Sequence, residues 1–182
     1  MADFNAPYEY VVAQRSEGKW RTRRILLIML YIIYPIFALV IGFLTRLGVP
    51  MLCFIPVSEW MLIFFTWRFV KIEYEYSVVS GVLTFSVIYG GRSRREKLSF
   101  PLRSATLIAP QGYRMHEDKL ELFDPEITYS AIGSSDSPDK YFAIFTNDDG
   151  KRCAFYFEAT ERMVKICRFY NAAATVVTKV RY

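Results

Sequence analysis

Apolar positions are distributed unevenly along the 182 residues. From Ile25 to Leu44 the chain reads ILLIMLYIIYPIFALVIGFL, twenty positions without a charge. At about 1.5 Å per residue such a run spans roughly 30 Å, the thickness of a bilayer core, and predicts a transmembrane helix. A secretory signal would have a shorter apolar region and a small-residue cleavage site; here Thr45-Arg46-Leu47 follows instead. Val49 to Phe69 is a second apolar run, interrupted by Pro50, Pro56, Ser58, Glu59 and Thr66. Only Thr45 to Gly48 separates the two runs, so residues 25–70 are expected to form a helical hairpin. The prolines and the glutamate leave a re-entrant or interfacial segment as the alternative for the second run.

From Lys71 the period falls to two. Ile72, Tyr74, Tyr76 and Val78 alternate with Glu73, Glu75 and Ser77, and after Ser80-Gly81 the set Leu83, Phe85, Val87 and Tyr89 alternates with Thr84 and Ser86. Two half-buried strands joined by a two-residue turn make a hairpin. Gly90 to Arg95 is a turn; Leu98, Phe100 and Leu102 mark a third strand; Thr106 to Ala109 and Leu120 to Phe123 are expected as short fourth and fifth strands. Gln111 to Lys119 reads as polar and irregular, and Asp124 to Asp139 as a long loop. Tyr141 to Thr146 and Arg152 to Phe157 form a last hairpin around Asn147-Asp148-Asp149-Gly150. The period then becomes helical: Thr160 is the expected N-cap, and Met163, Ile166, Cys167, Tyr170, Ala173 and Ala174 form an apolar stripe. Val176 to Tyr182 is a basic-aromatic tail.

The expectation is therefore a cytoplasmic juxtamembrane arm (1–24), a two-helix membrane hairpin (25–70) and a mainly-β domain (71–182). About seven antiparallel strands with a closing C-terminal helix is the element order of the pleckstrin-homology fold. The run EYEYSVVSGVLTFSVIYGGRSRREKLSFPL, Glu73 to Leu102, resembles the opening hairpin of bacterial pleckstrin-homology-like domains. Two helices followed by such a domain resembles a family of small bacterial membrane proteins, mostly from Gram-positive organisms. The resemblance implies no particular activity. Phosphoinositide binding is not among its implications. Eukaryotic domains with that ligand use basic residues on the first two strands and a long loop between them, whereas here the loop is Ser80-Gly81 and the neighbouring charges are Glu73 and Glu75. The closing helix also lacks the tryptophan common in that group.

Charge adds orientation. Residues 1–70 carry seven Lys/Arg against four Asp/Glu, and residues 71–182 sixteen against fourteen. The second part is nearly balanced, which speaks against a nucleic-acid-binding field. Arg15, Lys19, Arg21, Arg23 and Arg24 precede the first apolar run, Arg68 and Lys71 follow the second, and only Arg46 lies between. The positive-inside rule then puts both termini and the β-rich domain in the cytoplasm, with Trp20 in the interfacial belt.

Candidate chemistry is sparse. Arg92, Arg94, Arg95 and Lys97 form the sharpest charge cluster, suited to anionic headgroups or an acidic protein partner, or simply to a solvated turn. His116 is the only histidine and has no nucleophile near it in sequence, so it is expected at the surface. Cys53, Cys153 and Cys167 lack metal-ligand spacing, and no phosphate loop or nucleophile elbow occurs. No metal, cofactor or catalysis is expected. Tyr89, Tyr141 and Tyr156 are candidates for an exposed protein-binding surface. Within the membrane, Glu59 is the midpoint of the second run, where a charge costs about 2.5–3.5 kcal/mol. Tyr31, Tyr34, Pro35, Ala38 and Gly42 share one face of the first helix, with Ala38 and Gly42 allowing close packing. Glu59 is expected to hydrogen-bond Tyr34 or Tyr31, with a partner protein or an ion as the alternative. The function these features suggest is a membrane-tethered binding or scaffolding protein. The competing readings are an accessory subunit docking through the hairpin, and an enzyme acting at the membrane surface.

Overall fold

A computed structural model describes residues 7–15, 17–178 and 180. Parts of the expected N-terminal arm and of the basic-aromatic tail lie outside them. The chain divides into two compact units, a helical one made of Arg15–Ile72 with Tyr89–Ser93, and a β-rich one made of the rest.

In the helical unit, α1 (Gly18–Leu44) and α2 (Gly48–Thr66) are antiparallel and joined by a tight turn. Both are long and apolar enough to cross a membrane. Pro35 and Pro56 are accommodated inside them. The exposed surface is continuous aliphatic and aromatic side chain, including Ile32, Ile36, Phe37, Leu52 and Phe54. Water does not tolerate such a surface; a bilayer does.

The β-rich unit holds eight strands among the described residues, where about seven were expected. They are β1 (Tyr8–Ala13), β2 (Ile72–Val79), β3 (Val82–Tyr89), β4 (Ser93–Pro101), β5 (Ala105–Pro110), β6 (Ile127–Ala131), β7 (Lys140–Thr146) and β8 (Arg152–Glu158). They form two four-stranded sheets, ordered β1-β2-β3-β4 and β5-β7-β8-β6. Helix α4 (Glu161–Tyr170) follows, capped by Thr160, whose hydroxyl accepts from the Met163 N–H at 3.1 Å. It buries Met163, Val164, Ile166 and Cys167.

Aromatic side chains fill the space between the sheets. Phe155 and Phe157 of β8 meet Tyr76 of β2, and Phe85 of β3 lies 5.2 Å from Phe155 between ring centroids. Phe100 of β4 stacks on Phe145 of β7 at 3.8 Å. The buried Tyr76 hydroxyl donates to the Glu158 carbonyl. Burial in this apolar layer raises its pKa.

Five expectations are corrected. Residues 8–13, assigned to the juxtamembrane arm, are an edge strand paired with β2 from Tyr8↔Val78 to Ala13↔Glu73. The short strand expected at Leu120 to Phe123, and the irregular stretch before it, are one helix, α3 (Arg114–Phe123). Its inner face is His116, Leu120 and Phe123, at helical spacing, with Leu120 and Phe123 packed on Leu107, Phe142 and Ile144. A histidine stands where an apolar residue would have completed the pattern, so His116 is buried rather than at the surface. The long loop contains β6, which runs parallel to β8. Tyr141, expected exposed, is buried, and its hydroxyl bonds that of Thr178 at 2.6 Å.

Burial of Cys167 on the inner face of α4 pushes its thiol up from 9.0 to about 12. The folded chain therefore holds this proton more tightly than the unfolded chain. Its contribution to stability is complete below about pH 9 and is lost as the pH rises toward 12. Denaturant titrations are expected to show stability falling above pH 9 by up to about 1.4 kcal/mol per pH unit. Cys167→Ala should flatten that slope, and an unchanged slope would assign the loss to other groups.

Candidate functional site

The last turns of α2 carry Trp60, Ile63, Phe64 and Phe65, and the turn after it carries Trp67 and Arg68. Trp60 stacks on Phe64 at 5.6 Å, and Phe65 meets Phe64 edge-on at 5.5 Å. Against this aromatic wall lies the turn that follows β3. Gly90 has φ +61°, and a Cβ there would sit 2.9 Å from the Arg68 Cα. Its N–H donates to the Lys71 carbonyl at 2.7 Å. Only glycine allows so close a backbone approach in that conformation. The contact seats the next residues on the helix end, with the Arg92 guanidinium 5.2 Å above the Phe64 ring. Between wall and turn is a cavity of about 520 Å³ lined by Trp60, Phe64, Trp67, Arg68, Tyr89 and Arg92, among others.

Neighbouring contacts extend the basic-aromatic character. The Arg68 guanidinium lies 4.9 Å from the Phe69 ring, and that of Arg23 lies 5.1 Å from the same ring and 5.8 Å from Trp20. Among the described residues, neither Arg68 nor Arg92 has a carboxylate within ion-pair distance.

The predicted basic cluster is divided between the two units. Arg92 belongs to the helical unit and lines the cavity, whereas Arg94, Arg95 and Lys97 lie on β4 in the β-rich unit. Arg94 pairs at 2.8 Å with Glu75, which is otherwise buried, so its charge neutralises a carboxylate of β2. Arg95 and Lys97 are exposed.

Inside the hairpin the tyrosines find partners other than the one expected. Tyr34 donates to the Ser58 hydroxyl at 2.6 Å, and Tyr31 bonds that of Thr66 at 2.6 Å. Ser58 and Thr66 pass the chain on to helix carbonyls, at 2.9 Å to Phe54 and 2.6 Å to Leu62. Glu59 is one position round the helix from Ser58 and half-buried; among the described residues no hydrogen bond or ion pair reaches it. Ala38 and Gly42 sit on the shielded face with the two tyrosines. A Cβ on Gly42 would fall 2.8 Å from the Met51 Cγ, so the two helices are in close contact there.

The cavity was not foreseen. Its signal was present in two tryptophans near the end of the second apolar run, beside Arg68, but the opposing turn comes from twenty residues further on. Among the described residues no group of three or more His, Cys, Asp or Glu is placed to hold a metal.

A sequence profile of the family described as Bacterial PH-like domain (DUF6106) matches residues 5–176. Neither a curated protein nor a solved structure matches the chain.

Proposed function

The chain belongs to this bacterial PH-like domain family, and from that membership we propose that it is a membrane-tethered, non-catalytic binding protein whose β-rich domain contacts anionic lipid headgroups through the basic start of β4. The observation that carries this reading is the run from Arg92 to Lys97. Arg92 packs on Phe64 of an apolar helix end, which places it at a membrane boundary if α1 and α2 span. Arg95 and Lys97 follow within five residues, so at about 3.3–3.6 Å per residue the chain itself keeps them within roughly 18 Å of Arg92. Each exposed cation near an anionic leaflet contributes about 1 kcal/mol.

Two arguments support the proposed topology. Ala13 and Glu73 are paired neighbours on β1 and β2, and the hairpin is the chain between them, so both of its ends emerge on one side. The excess of Lys/Arg flanking the hairpin over its single loop arginine supports a cytoplasmic location for that side.

The pairing of Ala13 with Glu73 also permits a test, because a short Gly-rich turn can replace residues 15–71 and leave the sheet whole. The resulting soluble protein is expected to co-sediment with anionic vesicles at low salt, more weakly at physiological salt, and not with neutral vesicles. Arg95→Glu with Lys97→Glu should weaken this by tenfold or more; Arg94 is kept because it holds Glu75. No binding to anionic vesicles at either salt would sink the lipid reading and leave a protein partner.

Glu59 favours a second reading, an accessory subunit that docks through the hairpin. A carboxyl at mid-span without an internal donor is stabilised by a donor on another chain. Glu59→Ala should then dissociate a detergent-stable complex. A complex of unchanged size in the variant would remove this reading.

A further inference from the structure

We propose that the cavity at the foot of the hairpin is a binding site for one anionic phospholipid, with its phosphate on Arg68 and Arg92 and the start of its acyl chains against Trp60 and Phe64. The inference depends on the hairpin lying in a bilayer, but not on β4 binding headgroups.

The walls are arranged in two tiers. Trp60, Ile63 and Phe64 share a face of α2 by their spacing and lie inside the candidate span, Gly48–Phe69. Trp60 is nine residues before the end of that span, roughly 14 Å along a helix, which is acyl-chain depth. Arg68 lies in the span's last turn, and Arg92, with its guanidinium over Phe64, lines the same cavity with Tyr89 and Ser93. An apolar tier at chain depth below a cationic tier at headgroup depth matches a molecule with the same polarity along its length.

Charge selects the sign of the ligand. Among the described residues no acidic side chain lines the cavity. Arg68 and Arg92, without carboxylate partners among the described residues, line one space whose remaining walls are largely aromatic. Guanidinium forks hold phosphate oxygens in pairs and keep their charge at any physiological pH. The volume, about 520 Å³, lies within the usual range of small-molecule sites and accommodates a headgroup and the first part of the tails, with the remainder in the surrounding lipid. The geometry is fixed in advance: Gly90 packs on the backbone of Arg68, and Phe64 supports the Arg92 side chain.

The test uses the full chain in mild detergent, with native mass spectrometry after adding phosphatidylglycerol or phosphatidylcholine. Expected is one phosphatidylglycerol bound in preference to phosphatidylcholine. Arg68→Gln with Arg92→Gln should weaken it by tenfold or more, while Lys119→Gln with Lys151→Gln, at exposed positions of the β-rich unit, leaves it unchanged. If the double variant fails to fold, the single pair decides: Arg92→Lys should keep most of the binding that Arg92→Gln loses. Equal binding of the two lipids, or equal retention by Arg92→Gln and the unaltered chain, would overturn the proposal. So would displacement of the lipid by millimolar inorganic phosphate, because the site would then be one for a soluble anion. The hairpin-less protein used for co-sedimentation lacks the cavity, so the two proposals fail separately.

Discussion

Phe155→Ala is expected to destabilise the β-rich unit by about 3–5 kcal/mol, the range for removing a buried phenyl ring. Phe155 has no exposed surface and is one of the rings on which the two sheets meet. Its centroid lies 5.2 Å from Phe85, 5.5 Å from Phe157 and 6.5 Å from Tyr76. Truncation leaves a hole walled by other rings. Rings relax poorly into a void because they turn about few bonds, so the cost should fall at the upper end. Thermal unfolding of the hairpin-less protein should shift down by more than about ten degrees. A loss under 1 kcal/mol would mean that the sheets close over the gap.

Gly81→Val should cost about 2–5 kcal/mol, and for two separable reasons. Ser80 and Gly81, with φ of 52° and 81°, make the two-residue turn between β2 and β3. A valine in that left-handed conformation costs about 1–2 kcal/mol. Its Cβ would also fall 2.6 Å from the Tyr170 ring at the end of α4, an overpacking that costs about 1–3 kcal/mol. Adding Tyr170→Ala should recover the second part, with its own packing loss measured separately, and leave the first. Full additivity of the two substitutions would show that the ring is not the obstacle.

Gly81 also illustrates how the chain announces its folding. The turn was readable because strand alternation ran up to Ser80-Gly81 on both sides, and a two-residue hairpin at that spacing demands φ above zero. That the same glycine carries a helix end could not be read, because Tyr170 is 89 residues away. The missed strand β1 is a similar case. Tyr8, Tyr10 and Val12 alternate with Glu9 and Val11, but the partner lies beyond the whole helical hairpin, so no local turn flags the pair. Helix α3 was hidden for another reason: its inner face includes His116, and a three-position stripe with one polar member is too weak to outweigh the apolar run Leu120 to Phe123.

The candidate sites divide in the same way. Arg92, Arg94, Arg95 and Lys97 are adjacent in sequence and were read as one cluster. Folding sends Arg92 to the cavity, commits Arg94 to Glu75 and leaves Arg95 and Lys97 exposed. In the hairpin, spacing identified the face of α1 that packs on α2, but not that Ser58 and Thr66 would meet its hydroxyls.

What the sequence by itself determined is whatever depends on local pattern: two helices apolar enough to cross a membrane from the length of their apolar runs, the β2–β3 hairpin from alternation and its turn, α4 from its cap and stripe, and the bacterial PH-like order of elements. Tertiary structure alone decided the eighth strand, the parallel placement of β6, the partners of the membrane tyrosines and the cavity above Phe64. Each of these joins segments tens of residues apart, or two residues whose neighbours compete for the same donor. A one-dimensional pattern records what a residue prefers to face, while packing decides which of several suitable partners it meets.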